Sequence, residues 1–477
     1  MTRMIYVLLI AVLFSCEKDI VEPTVTNTPS QPSTNRPPFA IGGPDMTITL
    51  PDTVYAILDG TRSYDPDGLR LTLAWTQISG PTTAAFYDTY TRSGDALAVF
   101  GTSGKYLFQL YAKDDRFTTL DTVEIIVKWA SDCNPVRELV SAETSSLGYS
   151  PNILASGVSC AIGPDKLVLA GGMLSEPFWP DDPPPTYSSF FHIYDMKTNT
   201  WSSSEMFRAK GEMACVISAN KLYMGGGVTN DGKITDDVEI HDLITRTAVR
   251  ARLSVPRSNL SVAAAGNKVV FAGGSNQDGK AINTVDIYDQ STNTWSTATL
   301  SEPRMSLTTM VNGSKIYFAG GSLAYGVGIS NAIDIYDVTT NSWSVRRMSR
   351  QGSHFQAALL GNQMVLSGGI LGLGIAISPR VEFIDLSTWG SILDCNLSAP
   401  YQDYYTFRGE NLNTAVIGDK VYFGTNESIS VYNSTTKAWK YAKLETQYGT
   451  LFTFQGQLYS FRYDYASMKY QVIRIGL

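Results

Sequence analysis

The groups able to do chemistry in this 477-residue chain are three histidines, five cysteines and a spaced series of arginines. Arg208, Arg257, Arg304 and Arg350 lie 13, 11, 11 and 13 residues before the residue that opens an apolar, glycine-ended strand. Guanidinium groups repeated in this way can grip an anion or a carboxylate through paired hydrogen bonds. They can equally belong to the repeat itself and pair with local acids. His192, His241 and His354 stand at unlike places in their segments, so no metal site is expected from them. Cys133, Cys160, Cys215 and Cys395 show no metal-ligand spacing. Cys160 and Cys215 each stand six residues before such a strand, which reads as two buried small side chains, with a disulfide as the alternative. No nucleophile-elbow, phosphate-loop or zinc motif occurs. No catalytic residue and no cofactor are implied.

A second kind of candidate lies in two insertions. Residues 173–190 carry Phe178, Trp179, Asp181 and Asp182 beside three consecutive prolines. Residues 401–408 carry Tyr401, Tyr404 and Tyr405. Exposed aromatic rings stack on the C–H faces of sugars, and nearby carboxylates accept bonds from hydroxyl groups. The structural alternative is that these rings pack on their own loops.

What must position these groups is a repeat. Glycine pairs end short apolar runs at Lys166-Leu-Val-Leu-Ala-Gly171-Gly172, Lys221-Leu-Tyr-Met-Gly-Gly226-Gly227, Lys268-Val-Val-Phe-Ala-Gly273-Gly274, Lys315-Ile-Tyr-Phe-Ala-Gly320-Gly321 and Gln363-Met-Val-Leu-Ser-Gly368-Gly369. The steps are 55, 47, 47 and 48 residues, so one supersecondary unit is used again and again. Each unit continues to Tyr-Asp and, six residues on, to Trp: Asp195 to Trp201, Asp289 to Trp295, Asp337 to Trp343, and Asn433 to Trp439 with Asn for Asp. Turn formers fill the gap. A further short run, such as 262–265 or 355–360, precedes each glycine strand. One unit therefore predicts four short strands and no helix. Such a sheet cannot cover both of its own faces, and radial packing solves the problem.

The pattern resembles the kelch family of β-propellers, over residues 133–477. The resemblance implies an all-β propeller of seven blades, with six as the alternative. Departures are visible. Unit two has Ala248 where Trp is expected, Trp389 comes early in unit five, and units six and seven lack the glycine pair. The last blade runs out of chain, and residues 136–141 are expected to supply its outer strand. Chain direction alternates within a blade, so both insertions are expected on one face. Some propellers of this kind are enzymes. A galactose-oxidase-like copper site does not fit three scattered histidines, whereas a sialic-acid-epimerase-like site would use the arginine series with nearby acids.

Ahead of the repeat, Met1-Thr-Arg3-Met-Ile5 leads into an apolar run ending at Phe14, too short to span a bilayer. Leu13-Phe-Ser-Cys16 resembles the bacterial lipobox, which implies cleavage and lipidation at Cys16. Acidic residues 17–19 resemble those of lipoproteins displayed on the outer membrane of Gram-negative bacteria. Residues 17–36 then read as a flexible tether. Residues 37–128 show strand-like alternation at 106–114 and Asp/Pro/Gly turns such as Asp65-Pro66-Asp67-Gly68. This stretch resembles a polycystic-kidney-disease (PKD)-type immunoglobulin-like β-sandwich with Trp75 in its core. Asp65 and Asp67 read as turn residues, with a calcium site as the alternative.

Charged residues are 17% of the chain and the net charge is −7, which disfavours nucleic-acid binding. The expectation is a lipid-anchored, exported binding protein that takes a glycan or a protein partner on the propeller loop face. The alternatives are a sugar-processing enzyme and a purely structural surface protein.

Overall fold

The computed structural model describes residues 35–50, 55–88, 94–100, 102–129, 138–151, 158–175, 185–324, 327–371, 376–377, 380–394, 414–424, 428–443, 450–464, 467 and 469–477. The first unit is a sandwich. One sheet orders Met46–Leu50, Thr118–Trp129, Gly104–Lys113 and Thr72–Ser79, and the other orders Tyr55–Asp59, Asp95–Val99 and Ala85–Asp88. Gly104–Lys113 alternates buried and half-exposed side chains, as a strand with one face inward must. Leu58, Phe100, Tyr106, Phe108, Leu110 and Val123 form the core with Trp75, whose indole N–H donates to Gly94 O at 2.9 Å. Without that acceptor the buried indole would hold an unsatisfied donor.

Seven sheets follow among the described residues, five of four strands and two of five. The first consists of Ser159–Ile162, Lys166–Ala170, Phe190–Asp195 and Thr200–Glu205, an antiparallel meander. After Lys166 its second strand is apolar and covered on both faces, which is why that run does not alternate. The outer strand is nearly all exposed and correspondingly polar. The next four sheets repeat this plan, with outer strands Ala248–Arg252, Thr294–Thr299, Ser342–Arg347 and Ser391–Asp394.

Each sheet shares a core with the next. Met213, Leu222 and Met224 of the second sheet pack on Val168, Ala170 and Phe191 of the first. The series ends with Phe452, Phe461 and Val472 of the seventh sheet against Leu167, Leu169 and Tyr194 of the first. The sheets therefore close into a ring, a propeller. Each repeated Trp lies on its own Tyr, as Trp295 does on Tyr288 at 5.0 Å, and fills the gap to the preceding sheet. Early Trp389 fills the same gap in the fifth sheet from the turn, where its φ is +60°.

The closing strand differs from expectation. The seventh sheet takes its outer strand from Glu143–Tyr149, which pairs with Lys469–Gly476. Within 136–141, Glu138–Leu139 instead runs parallel to the outer strand of the sixth sheet, Ala438–Lys443. Outer strands of this ring are polar and exposed, and the Glu-Thr-Ser-Ser run suits that place.

The glycine pairs are obligatory. Gly226 and Gly227 have φ of +68° and +106°, and a Cβ on Gly226 would sit 2.3 Å from Arg257 O of the next sheet. The backbone crosses between sheets at contact distance there.

Candidate functional site

The arginine series resolves into buried ion pairs. Arg257 and Arg304 are fully buried. The Arg257 guanidinium meets Asp286 at 2.7 Å, and Arg304 binds Asp334. Arg350 faces Glu382 at 3.9 Å. Each pair lies within one sheet, with the acid on the third strand. The arginines also donate to strand carbonyls, as Arg304 does to Gly320 O at 2.6 Å and Ala332 O at 3.0 Å. In the second sheet the equivalent residue is Lys210, fully buried and 3.5 Å from Glu239. Like Arg257 and Arg304 it stands 11 residues before the strand opener. Arg208 is mostly exposed and 3.8 Å from Asp237. The four arginines do not ring an opening.

The carboxylates hold the links between sheets. Glu239 accepts from Phe207 N–H at 2.8 Å, Asp286 from Ser254 N–H at 3.0 Å, Asp334 from Ser301 N–H at 2.9 Å and Glu382 from Ser349 N–H at 2.9 Å. Each donor belongs to the segment arriving from the preceding sheet. Burial pushes the Arg257 and Arg304 guanidiniums and the Lys210 ammonium below their usual pKa, against the pull of the paired acids. Burial lowers Arg350 to about 10. Glu239 is pushed up by burial, and His241, Lys210 and the Phe207 N–H more than offset this. His192 takes the carboxylate's place in the first sheet. It is fully buried, its Nδ1 lies 2.7 Å from Ser203 Oγ, and desolvation lowers it to about 4, so it is neutral.

A different row occupies one mouth of the central channel. Glu212, Asn259, Ser306 and His354 stand at the start of four consecutive inner strands, and each is half-exposed. All four have left-handed backbones, with φ of 54°, 52°, 55° and 56°. The Asn259 N–H donates to Glu212 O at 3.1 Å and the Ser306 N–H to Asn259 O at 3.0 Å. Asn259 Nδ2 reaches Glu212 Oε2 at 3.1 Å. Outside glycine this conformation is costly, least so for Asn, and such residues gather at ligand sites. His354 keeps an open face, yet protein surrounds it and desolvation lowers its pKa. The row gathers a carboxylate, a carboxamide, a hydroxyl and an imidazole at one end of the inner strands.

Sequence reading did not single out this row as a site. Its one signal is a constant spacing of nine residues before the strand opener. Counting back in the same way from residues 166, 420 and 457 falls on positions 157, 411 and 448, outside the described residues.

Hairpins between second and third strands border the same end and interlock. Tyr187 N–H donates to Asn230 at 2.6 Å, and Ile234 N–H to Gln277 at 2.8 Å. Lys280 bridges Ala324. Phe178, Trp179, Asp181, Asp182, Tyr401, Tyr404, Tyr405 and Cys16 lie outside the described residues. The flanks of the two insertions, Met173–Ser175 with Thr186–Tyr187 and Ser391–Asp394 with Thr414–Ile417, lie at this end. Cys160 and Cys215 are half-buried on adjacent inner strands.

An all-β ring with glycine-ended second strands, preceded by a PKD-like sandwich, defines a class. Residues 157–369 match the family model of the KLHDC2/KLHL20/DRC7 Kelch-repeats domain. Residues 42–127 match a PKD-domain family model. The chain thus carries a kelch-repeat β-propeller and a PKD domain, both of them interaction modules. It is similar to the dyslexia-associated protein KIAA0319-like protein of Mus musculus, 34% identical over 110 residues, or 23% of this chain. That stretch is 10% of the mouse protein. A solved structure titled "Structure of YjhT" aligns with a TM-score of 0.42 and 14% identity, covering 69% of this chain and 95% of the other.

Proposed function

We propose that the chain is an exported, lipid-anchored binding protein whose channel mouth takes a neutral glycan. The observation that carries this reading is the left-handed row Glu212, Asn259, Ser306 and His354, four polar side chains held at a backbone cost around one opening. Their donors and acceptors suit the alternating hydroxyls of a sugar. Glu212 disfavours an anion, and the guanidiniums that would welcome one are buried in ion pairs. The insertion residues Phe178, Trp179, Asp181, Asp182, Tyr401, Tyr404 and Tyr405 would add stacking surfaces beside the mouth. Cys16 would carry the anchor, residues 17–36 the tether and the sandwich the spacer. The seven sheets are read as seven blades.

A protein partner is the second reading. It is supported by Leu174, Phe207 and Leu323, which are exposed at the same end, with the Arg250 guanidinium 4.2 Å above the Phe207 ring. A sugar-processing site loses its basis, because Arg257, Arg304 and Arg350 are each committed within a separate sheet.

Screening the mature chain on arrays of neutral and acidic glycans tests the first reading. Capture of neutral glycans that falls at least tenfold in Glu212→Gln and Asn259→Ala is expected. Capture unaffected by these changes and by Trp179→Ala or Tyr404→Ala would refute the site. Palmitate labelling that persists in Cys16→Ala would refute the anchor.

A further inference from the structure

The rim of the ring carries one outer strand unlike the others. Ala248–Arg252 ends the second sheet on the outside, and no described strand pairs beyond it. In its ladder to Asp237–Asp242, the Asp242 N–H donates to Thr247 O and the Leu253 N–H to Asp236 O, both at 2.8 Å. Bonded and non-bonded pairs alternate along an antiparallel ladder. Ala248, Arg250 and Arg252 therefore turn their N–H and C=O groups toward the open edge.

The sixth sheet shows what such an edge accepts. There Tyr441 holds the place of Arg250, two residues beyond the position of the repeated Trp. The Val140 N–H donates to Tyr441 O at 2.8 Å, and Glu138–Leu139 lies alongside as a fifth strand. An outer edge of this ring has room for one more strand.

The edge of the second sheet sorts its side chains by face. Arg250 and Arg252 project from one face, Val249 and Ala251 from the other. Val249 is 59% exposed, where Ser202, Ser296 and Ser344 stand in their sheets. Ile244, 71% exposed, sits in the turn before the strand. Arg252 meets Asp236 at 3.4 Å, while no ion pair engages Arg246 or Arg250 among the described residues. Ile392 is exposed at the place of Val249 in the fifth sheet, but its neighbours there are Ser391 and Leu393. The second sheet thus presents a cationic and apolar edge on a chain of net charge −7. Its arginines repel a second copy of the same edge, whereas an acidic strand gains favourable cross-strand pairs.

We propose that Ala248–Arg252 is a docking edge for an extended segment of a partner protein in which acidic and apolar residues alternate. The segment adds to the sheet as a strand, its acids beside Arg250 and Arg252 and its apolar side chains beside Val249. This surface is the rim of the ring, and the proposal stands apart from the glycan reading of the channel mouth.

The test probes the full chain on an array of peptides about eight residues long. Four sets are compared: alternating Glu and Val, alternating Lys and Val, alternating Glu and Ser, and Glu/Val peptides with prolines that remove the edge-facing amides. Retention on the first set alone is expected. Arg250→Ser/Arg252→Ser and Val249→Ser should each weaken it by about tenfold. These changes restore the Ser and Thr of the other outer strands, so urea midpoints and any glycan capture should not move. No retention on the Glu/Val set, equal retention on the proline set, or retention that all the variants keep overturns the proposal. Binding of the chain to anionic lipid vesicles that is lost in Arg250→Ser/Arg252→Ser, without peptide retention, would assign the edge to a membrane instead.

Discussion

Replacing Ser306 and His354 by glycine should make the propeller more stable and its ligand site worse. Both residues hold φ near +55°, where an L side chain crowds its own carbonyl. That costs about 1–2 kcal/mol per residue. Glycine relieves the crowding but loses roughly 0.5–1 kcal/mol in unfolded-chain entropy. The net expectation is about 0.5–1 kcal/mol gained at each site, or about 1–2 kcal/mol for Ser306→Gly/His354→Gly. For a ring of this size the melting temperature should rise by only about 2 °C. Urea unfolding followed by tryptophan fluorescence is therefore the better assay. Asn259→Gly should gain least, since Asn tolerates the left-handed region best. The same double variant should lose at least tenfold in glycan capture. A destabilised double variant would show that the row is not strained. A stabilised variant with unchanged capture would show that the strain serves no ligand.

Arg257→Met should cost about 3 kcal/mol by leaving Asp286 unpaired in the interior, and adding Asp286→Asn should recover much of it. An anion-binding role would instead leave urea unfolding nearly unchanged in the single variant. Gly226→Ala should cost about 3 kcal/mol, since a φ of +68° and a carbonyl 2.3 Å from the new Cβ act together. Gly232→Ala, at φ +72° with open space, should cost only about 1 kcal/mol by circular-dichroism melts of the two variants. Burial lowers His192 to about 4, so as pH falls from 6.5 the unfolded chain takes up its proton first. Stability from the neutral imidazole is present above pH 6.5 and lost between there and about 4, a loss of roughly 2 kcal/mol after allowing for partial screening. His192→Gln should remove that part of the decline in urea midpoints between pH 7 and 4.5.

The ring was legible because its rules are local and periodic. Gly171-Gly172 and its copies need positive φ, and Tyr288-Asp289 to Trp295 encloses one turn in which Asp289 accepts the N–H groups of Ser291 and Thr292 at 2.8 and 3.3 Å. Such signals survive in a linear string. The closing strand was harder to read, because Glu143–Tyr149 is polar and pairs with residues more than three hundred positions away. Nothing local marks it as a strand, whereas 136–141, with Val136, Leu139 and Val140, looked like one. Trp389 shows the opposite case, in which a displaced side chain reaches the regular gap from the same left-handed turn position that Asn199, Asn293 and Asn341 hold in their units.

The arginine series misled at one place for a physical reason. Arg208 matched the chemistry of Arg257 and Arg304, while Lys210 matched their spacing of 11 residues and entered the core in its place; Arg350, at 13 residues like Arg208, still reaches its third-strand acid. A position in a repeat is set by backbone geometry first, and any cation long enough to reach the third-strand acid can occupy it. The same logic explains why the mouth leaves only a spacing in the sequence. Glu212, Asn259, Ser306 and His354 share no chemistry, only φ and place. The repeat keeps the backbone while leaving the side chain free to vary from sheet to sheet. The left-handed turn position four residues after the third-strand Asp or Asn also varies, through Asn199, Arg246, Asn293, Asn341, Trp389 and Lys437. The row at the inner-strand starts differs in being polar at all four described places, which is what the proposed ligand site needs.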